Sequence, residues 1–159
     1  MTLQDVRLVW LGDPDANDSA LVGAKAANLS RLANSYRVPA GFCLTATSLA
    51  ADQAADLSES LYREVAQAYA ALAERCGELT PPVAVRSSAI DEDSASASFA
   101  GQHDTYLNVR GGGAVARSIA RCWQSLLRAA RPRVRLGTGH AVPAAVSADH
   151  DIVVSEIDF

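Results

Sequence analysis

Two cations and one run of small residues are the places in this chain from which chemistry could be done. Lys25 lies in Gly23-Ala-Lys-Ala-Ala-Asn-Leu29. A lysine in the first turn of a helix opposes the helix dipole. If Gly23 opens that helix, an anion can sit at its N-terminus with Lys25 as countercharge. Otherwise the lysine stem covers apolar surface while its head stays in water. Arg86 ends the run Val83-Ala-Val-Arg86 and precedes Ser87-Ser88. Its planar fork can hold two phosphate oxygens at once, or it can pair on the surface with Asp91, Glu92 or Asp93. The residues alone leave both pairs of alternatives open.

Between Arg86 and the run Thr105–Val109 lies Ser87–Gly101, fifteen residues that are mostly small or acidic. By composition this is a linker. It also has the makings of a phosphate loop, because small side chains let backbone N–H groups approach a polyphosphate, and Gly101 can take φ > 0. His103, His140 and His150 lack the spacing of metal ligands. Ser87 and Ser88 lack the Gly-x-Ser-x-Gly turn of a nucleophile. No catalytic residue and no metal site is expected in this chain. Arg117, Arg121, Arg128 and Arg131 recur along one helical face, a solvated row or a contact for an acidic partner domain.

The elements that must position these residues follow from periodicity. Val6–Leu11 reads as a strand ended by the turn-forming stretch Gly12–Ser19. A helix is expected to start near Gly23, with Lys25, Leu29, Leu32 and Tyr36 on one stripe at i, i+4, i+7 and i+11. Pro39 then leads into a short strand. Asp56–Cys76 is the longest helix, with Leu61, Val65, Ala68 and Leu72 inward and a capping box at Asp56–Glu59. Gly77 and Pro81-Pro82 stop it. Val83–Arg86 and Thr105–Val109 are strands. Gly111–Gly113 open a helix whose inner face is Val115, Ile119, Cys122 and Leu126, and 151–157 forms a last strand. Helices and strands without strict alternation predict a mixed α/β or α+β domain.

Composition narrows the classes. The 159 residues are 49% apolar and 20% charged, with a net charge of −4. That length suits one domain or two small lobes, and the charge argues against a nucleic-acid binder. Cys43, Cys76 and Cys122 are widely spaced and form no Cys-x-x-Cys pair, as expected of free thiols in a reducing compartment. With no signal-like start and no long apolar run, the expectation is a soluble, cytoplasmic protein that does not enter a membrane.

Four segments now stand in order: Leu21–Leu32, Val38–Ala46, Val83–Val109 and the stretch Ala120–Leu127. Together they resemble the N-terminal nucleotide-binding region of the phosphoenolpyruvate synthase family, which includes pyruvate phosphate dikinase and rifampicin phosphotransferase. The likeness covers most of residues 20–127. The Arg-Ser-Ser-Ala and Ser-Phe-Ala-Gly-Gln forms are similar to the synthase and rifampicin branches. The resemblance implies an ATP-grasp fold, of which 1–159 would be a single N-terminal lobe, binding ATP with Mg2+.

By the same resemblance, Lys25 is the phosphate-binding lysine and Arg86 the arginine that contacts the nucleotide phosphates. Gly101 and Thr105 line the same site, and Gln102 belongs to the motif without an assigned role. The family's last strand carries a glutamine near the adenine; here Ser155 takes that place, with Glu156 beside it. Residues 131–149 also depart from the family's helical continuation. The second lobe with the metal ligands, the swivelling domain with its phosphoryl-carrying histidine, and the acceptor domain are expected on another domain or subunit. The alternative is a non-catalytic regulatory module that kept the fold.

Overall fold

A computed structural model describes residues 8–45, 57–89, 104–129 and 150–157. The chain opens with strand β1, Leu8–Trp10, followed by a 3-10 turn over Pro14–Asn17 and helix α1, Ser19–Ala33. Strand β2, Gly41–Leu44, leads to helix α2, Glu59–Cys76. Strands β3, Val83–Ala89, and β4, Thr105–Val109, precede helix α3, Gly112–Ala129, and strand β5 is His150–Glu156. The strands form one antiparallel sheet in the order β1-β2-β5-β3-β4. Helices beside an antiparallel sheet make this an α+β architecture.

Alternation along the strands sends side chains to two cores. Phe42, Leu44, Val83, Val85, Ile152 and Val154 pack on one face against Leu61, Val65 and Leu72 of α2 and Val115, Ile119 and Trp123 of α3. Val9, Cys43 and Val153 pack on the other against Ala16 and against Val22, Ala26 and Ala27 of α1. The sheet is therefore covered on both faces, by α2 and α3 on one and by α1 on the other. Full burial of a leucine or valine contributes about 1.5–3 kcal/mol, so the larger cluster carries most of the stability.

Helix α2 has the inner face its period predicts, with Leu61, Val65, Ala68 and Leu72 all buried. Its cap is Ser58, whose side chain accepts from the Leu61 N–H at 3.3 Å; Asp56 lies outside the described residues. Gly77 ends it in the left-handed conformation, φ 71 and ψ 20, as a helix-terminating glycine does. Tyr69 ties the helix to its surroundings, donating to the Pro81 carbonyl at 2.8 Å and accepting from the Gly111 N–H at 2.9 Å. The inner face of α3 likewise holds Val115, Ile119, Cys122 and Leu126, while Arg117 and Arg121 are exposed. None of the three cysteines is in a disulfide among the described residues.

Helix α1 departs from expectation. It starts at Ser19, where Asp18 caps it by accepting from the Ala20 N–H at 2.9 Å, rather than near Gly23. Its buried residues are Val22, Gly23, Ala26, Ala27 and Ser30. Leu32 and Tyr36, assigned to the inner stripe with Lys25, are 46% and 69% exposed. Small side chains let the helix lie close to the sheet, so alanines and not leucines form its contact face. Ser30 is fully buried because its hydroxyl accepts from the Gly12 N–H at 3.0 Å, fixing the helix to the turn after β1. Strand β3 is also longer than expected: Ser87–Ala89, assigned to the loop, continue the pairing with β5.

Candidate functional site

Lys25 is delivered by a break in α1. Gly23 has φ 71 and ψ 161, a non-helical conformation inside the helix. That region of backbone space is essentially restricted to glycine. The helix therefore restarts after Gly23, and Lys25 sits in the first turn of the second stretch. The sequence expectation that Gly23 opens a helix bearing Lys25 holds for this stretch, although Ser19–Val22 precede it as an extra turn. Beneath the break, the buried Cys43 thiol of β2 lies 3.8 Å from the Val22 carbonyl, to which it donates.

Arg86 belongs to the same face. It pairs with Val153 across β3 and β5, and Val153 pairs with Cys43 across β5 and β2. Partners directly opposite in a ladder point to one side of the sheet. Val153 and Cys43 pack against α1, so Arg86 projects to the α1 side. Thr105 pairs with Arg86 across β3 and β4 and shares that side. Ser155 pairs with Ala84 and Gly41, in register with the same row, and is buried. Glu156, one position on, pairs with Val83. Lys25, Arg86, Thr105 and Ser155 thus come from separate segments onto the side of the sheet that α1 covers. Gly101, Gln102 and His103 lie outside the described residues.

The electrostatics of this face centre on Arg86. Its Nε is buried and has no hydrogen-bond partner among the described residues. A buried donor without an acceptor is costly, and such groups in folded proteins call for an explanation. An anion held by the guanidinium supplies one. The Ser87 hydroxyl, one residue on, is also buried with no hydrogen-bond partner among the described residues; it points to the opposite face, since it pairs with Ile152 of the larger core. No group of three or more His, Cys, Asp or Glu among the described residues could hold a metal ion. The chemistry these side chains offer is anion binding.

Two titrating groups next to Thr105 lie on the other side of β4. Tyr106 donates to an Asp104 carboxylate oxygen at 3.4 Å, and its acidity is weakened by partial burial and by the Asp104 charge. Cys122 of α3 donates to the Asp104 carbonyl at 3.4 Å, and burial pushes its thiol up to about 12. Both stay protonated at neutral pH and belong to the packing of α3 on the sheet.

Comparison with known proteins gives the family. Residues 50–142, more than half of the chain, match the family described as pyruvate phosphate dikinase, AMP/ATP-binding domain. The chain belongs to that family. Among its relatives is a rifampicin phosphotransferase from a Streptomyces species, 37% identical over 84% of this chain and 19% of the relative. A second, from Streptomyces sviceus, is 41% identical over 73% of this chain and 17% of the relative. A phosphoenolpyruvate synthase from Pyrococcus furiosus is 44% identical over 54% of this chain and 11% of the relative. The chain thus spans a fifth or less of the length of these curated relatives. No helix among the described residues is long and apolar enough to cross a membrane.

Within this family of nucleotide-binding domains, the break at Gly23 and the Cys43 contact beneath it escaped the sequence reading. The sequence reading took Gly23 as the start of the helix, so the turn Ser19–Val22 that precedes the break was missed.

Proposed function

We propose that this chain is the N-terminal lobe of an ATP-grasp domain in a dikinase-type phosphotransferase. It would hold the phosphates of ATP for transfer to a histidine on another domain or subunit. Lys25 and Arg86 bind the phosphates, and Thr105 lines the same site. Gly101 lines it too, Gln102 belongs to the same motif, and Ser155 takes the place of the family's adenine-side glutamine, with Glu156 next to it in sequence. The observation that carries this reading is Arg86. Its buried Nε has no hydrogen-bond partner among the described residues, and in the register of the sheet it shares a face with Thr105 and α1.

Phosphoryl transfer rests on positioning and on cations that neutralise charge across the phosphates. Lys25 and Arg86 supply two of those cations. Mg2+ is also proposed, with its ligands on a second lobe. This part of the reading rests on resemblance to enzymes that are much longer than this chain. The relatives are named for rifampicin phosphotransfer and for phosphoenolpyruvate synthesis. The second reading is a regulatory module that binds without turnover; Ser155, in place of the family's glutamine, is the feature that favours it.

Calorimetric titration with Mg·ATP tests the proposal. Saturable binding by the chain, alone or with its completing lobe, is expected to be abolished by Lys25→Ala and by Arg86→Ala with the fold retained. Wild-type affinity in both variants would refute the assignment. Binding without phosphoryl transfer to any histidine-bearing partner would favour the regulatory reading.

A further inference from the structure

β4 does not pair evenly with β3. Val83 stands opposite Val109, but Val85 stands opposite Tyr106 and Arg86 opposite Thr105. Two steps along β3 from Val83 to Val85 therefore match three steps along β4, and Leu107 and Asn108 together face Ala84. This is a β-bulge, the device that re-aims side chains next to binding sites. Asn108 has φ 55, the one positive value at a non-glycine residue among the described residues. Asparagine is one of the few side chains that enter this left-handed region readily.

The bulge is pinned on both strands. Arg110 Nε donates to the Asn108 side-chain oxygen at 3.3 Å. Arg110 Nη1 donates at 2.7 Å to the carbonyl of Thr80, just before β3. Leu107, on the bulge itself, is left 67% exposed.

Its consequence follows from the two-residue period of a strand, in which a slip of one residue reverses every side chain beyond it. Val109 and Tyr106 both pack against the larger core although they are an odd number of residues apart. Even pairing from Val109 would set Tyr106 opposite Arg86 and Thr105 opposite Ser87. Tyr106 would then leave the core, and Thr105 would turn toward it. With the bulge, Thr105 stands beside Arg86 on the α1 side of the sheet.

We infer that the Leu107–Asn108 bulge is what brings Thr105 to the nucleotide face, with Asn108 and Arg110 as positioning residues that touch no ligand. The inference rests on the proposal that Arg86 and Thr105 meet the nucleotide. Its structural half is independent of that proposal, because the pairing can be read without ligand.

Three variants of the chain test it: Asn108→Gly, Asn108→Val and deletion of Asn108. Cross-strand nuclear Overhauser contacts report which residue faces Arg86, and calorimetry with Mg·ATP reports affinity. Glycine accepts φ > 0 and should keep both the Arg86–Thr105 contact and the affinity. Valine resists that conformation, so the contact should weaken and the affinity should fall about tenfold, as for one lost hydrogen bond to a charged group. Deletion removes the surplus residue, leaving Val109, Leu107, Tyr106 and Thr105 opposite Val83, Ala84, Val85 and Arg86. The Arg86–Thr105 contact should then persist without the bulge, and its displacement would overturn this reading of the register. Should the deleted chain fail to fold, the glycine and valine pair decides alone. An Arg86–Thr105 contact unchanged in Asn108→Val would overturn the positioning role. A displaced contact with unchanged Mg·ATP affinity would overturn the link to the nucleotide. Absence of Mg·ATP binding by the unaltered chain would count against the nucleotide reading alone, leaving the pairing result to stand.

Discussion

Replacing Arg86 by methionine should make the chain more stable and less able to bind nucleotide, a pairing of effects that a structural arginine cannot give. Arg86 Nε is buried and has no hydrogen-bond partner among the described residues. An unsatisfied buried donor costs about 1–3 kcal/mol, and more when it is charged. Methionine keeps most of the aliphatic length that packs between the strands and removes the donor. Some packing is lost with the guanidinium, so a net gain of about 1–2 kcal/mol is the reasonable expectation. For a domain of this size each kcal/mol moves the melting temperature by about 2–4 °C. Arg86→Met should therefore melt about 2–8 °C higher without nucleotide. The stabilisation that Mg·ATP gives the wild type by mass action should vanish in the variant. Thermal melts of both proteins with and without Mg·ATP read the two effects together. A variant that melts lower than wild type without ligand would show that Arg86 has a structural partner, and would remove the central support for the phosphate site.

Two further outcomes test the frame around that site. A Cβ at Gly41 would lie 2.5 Å from the Val154 carbonyl and 3.0 Å from the Ser155 Cα, both backbone atoms, so Gly41→Ala should destabilise the chain by about 1–3 kcal/mol, read from the denaturant midpoint. The Cys122 thiol is pushed from 9.0 to about 12 by burial and by the Asp104 charge. The folded state therefore keeps this proton where the unfolded chain has lost it. The stability it contributes is complete below pH 9 and lost as pH rises toward 12. Between those limits Cys122→Ala should lose stability with pH less steeply than wild type; parallel slopes would contradict the buried, protonated thiol.

Much of the frame was legible because burial and period coincide. The α2 stripe of Leu61, Val65, Ala68 and Leu72 and the α3 stripe of Val115, Ile119, Cys122 and Leu126 face the core as their spacing requires. Helix α1 misled because its contact face is built from alanines. Hydropathy gives Leu32 and Tyr36 more weight than Ala26 and Ala27, while close approach to the sheet favours the reverse. Periodicity also extended only to Arg86 for β3, since Ser87-Ser88-Ala89 carry little strand propensity. Pairing with β5 extends the strand through them, a tertiary effect that a local window does not contain. The candidate site was legible as a set of residue types. Its geometry was not, because it depends on a glycine break in α1 that the sequence showed only as a helix start, and on a bulge in β4 that interrupts a period reading as continuous.

These two irregularities do related work. A regular helix through Gly23 would carry Lys25 onward at the helical pitch from Ser19, with no fresh N-terminal turn at the sheet. A regular β4 would turn Thr105 toward the core. Each departure is made by a residue suited to it, glycine at φ 71 and asparagine at φ 55, and each lies within three residues of a proposed ligand-binding side chain. Local rules fail where function requires it, and the surrounding structure holds the exceptions in place. Here the supports are specific: the Cys43 thiol on the Val22 carbonyl before the helix break, and Arg110 bridging Asn108 and Thr80 at the bulge. The same sheet face therefore owes its lysine and its hydroxyl to two separately anchored irregularities, which is why a change at Asn108 should alter Thr105 without disturbing Lys25.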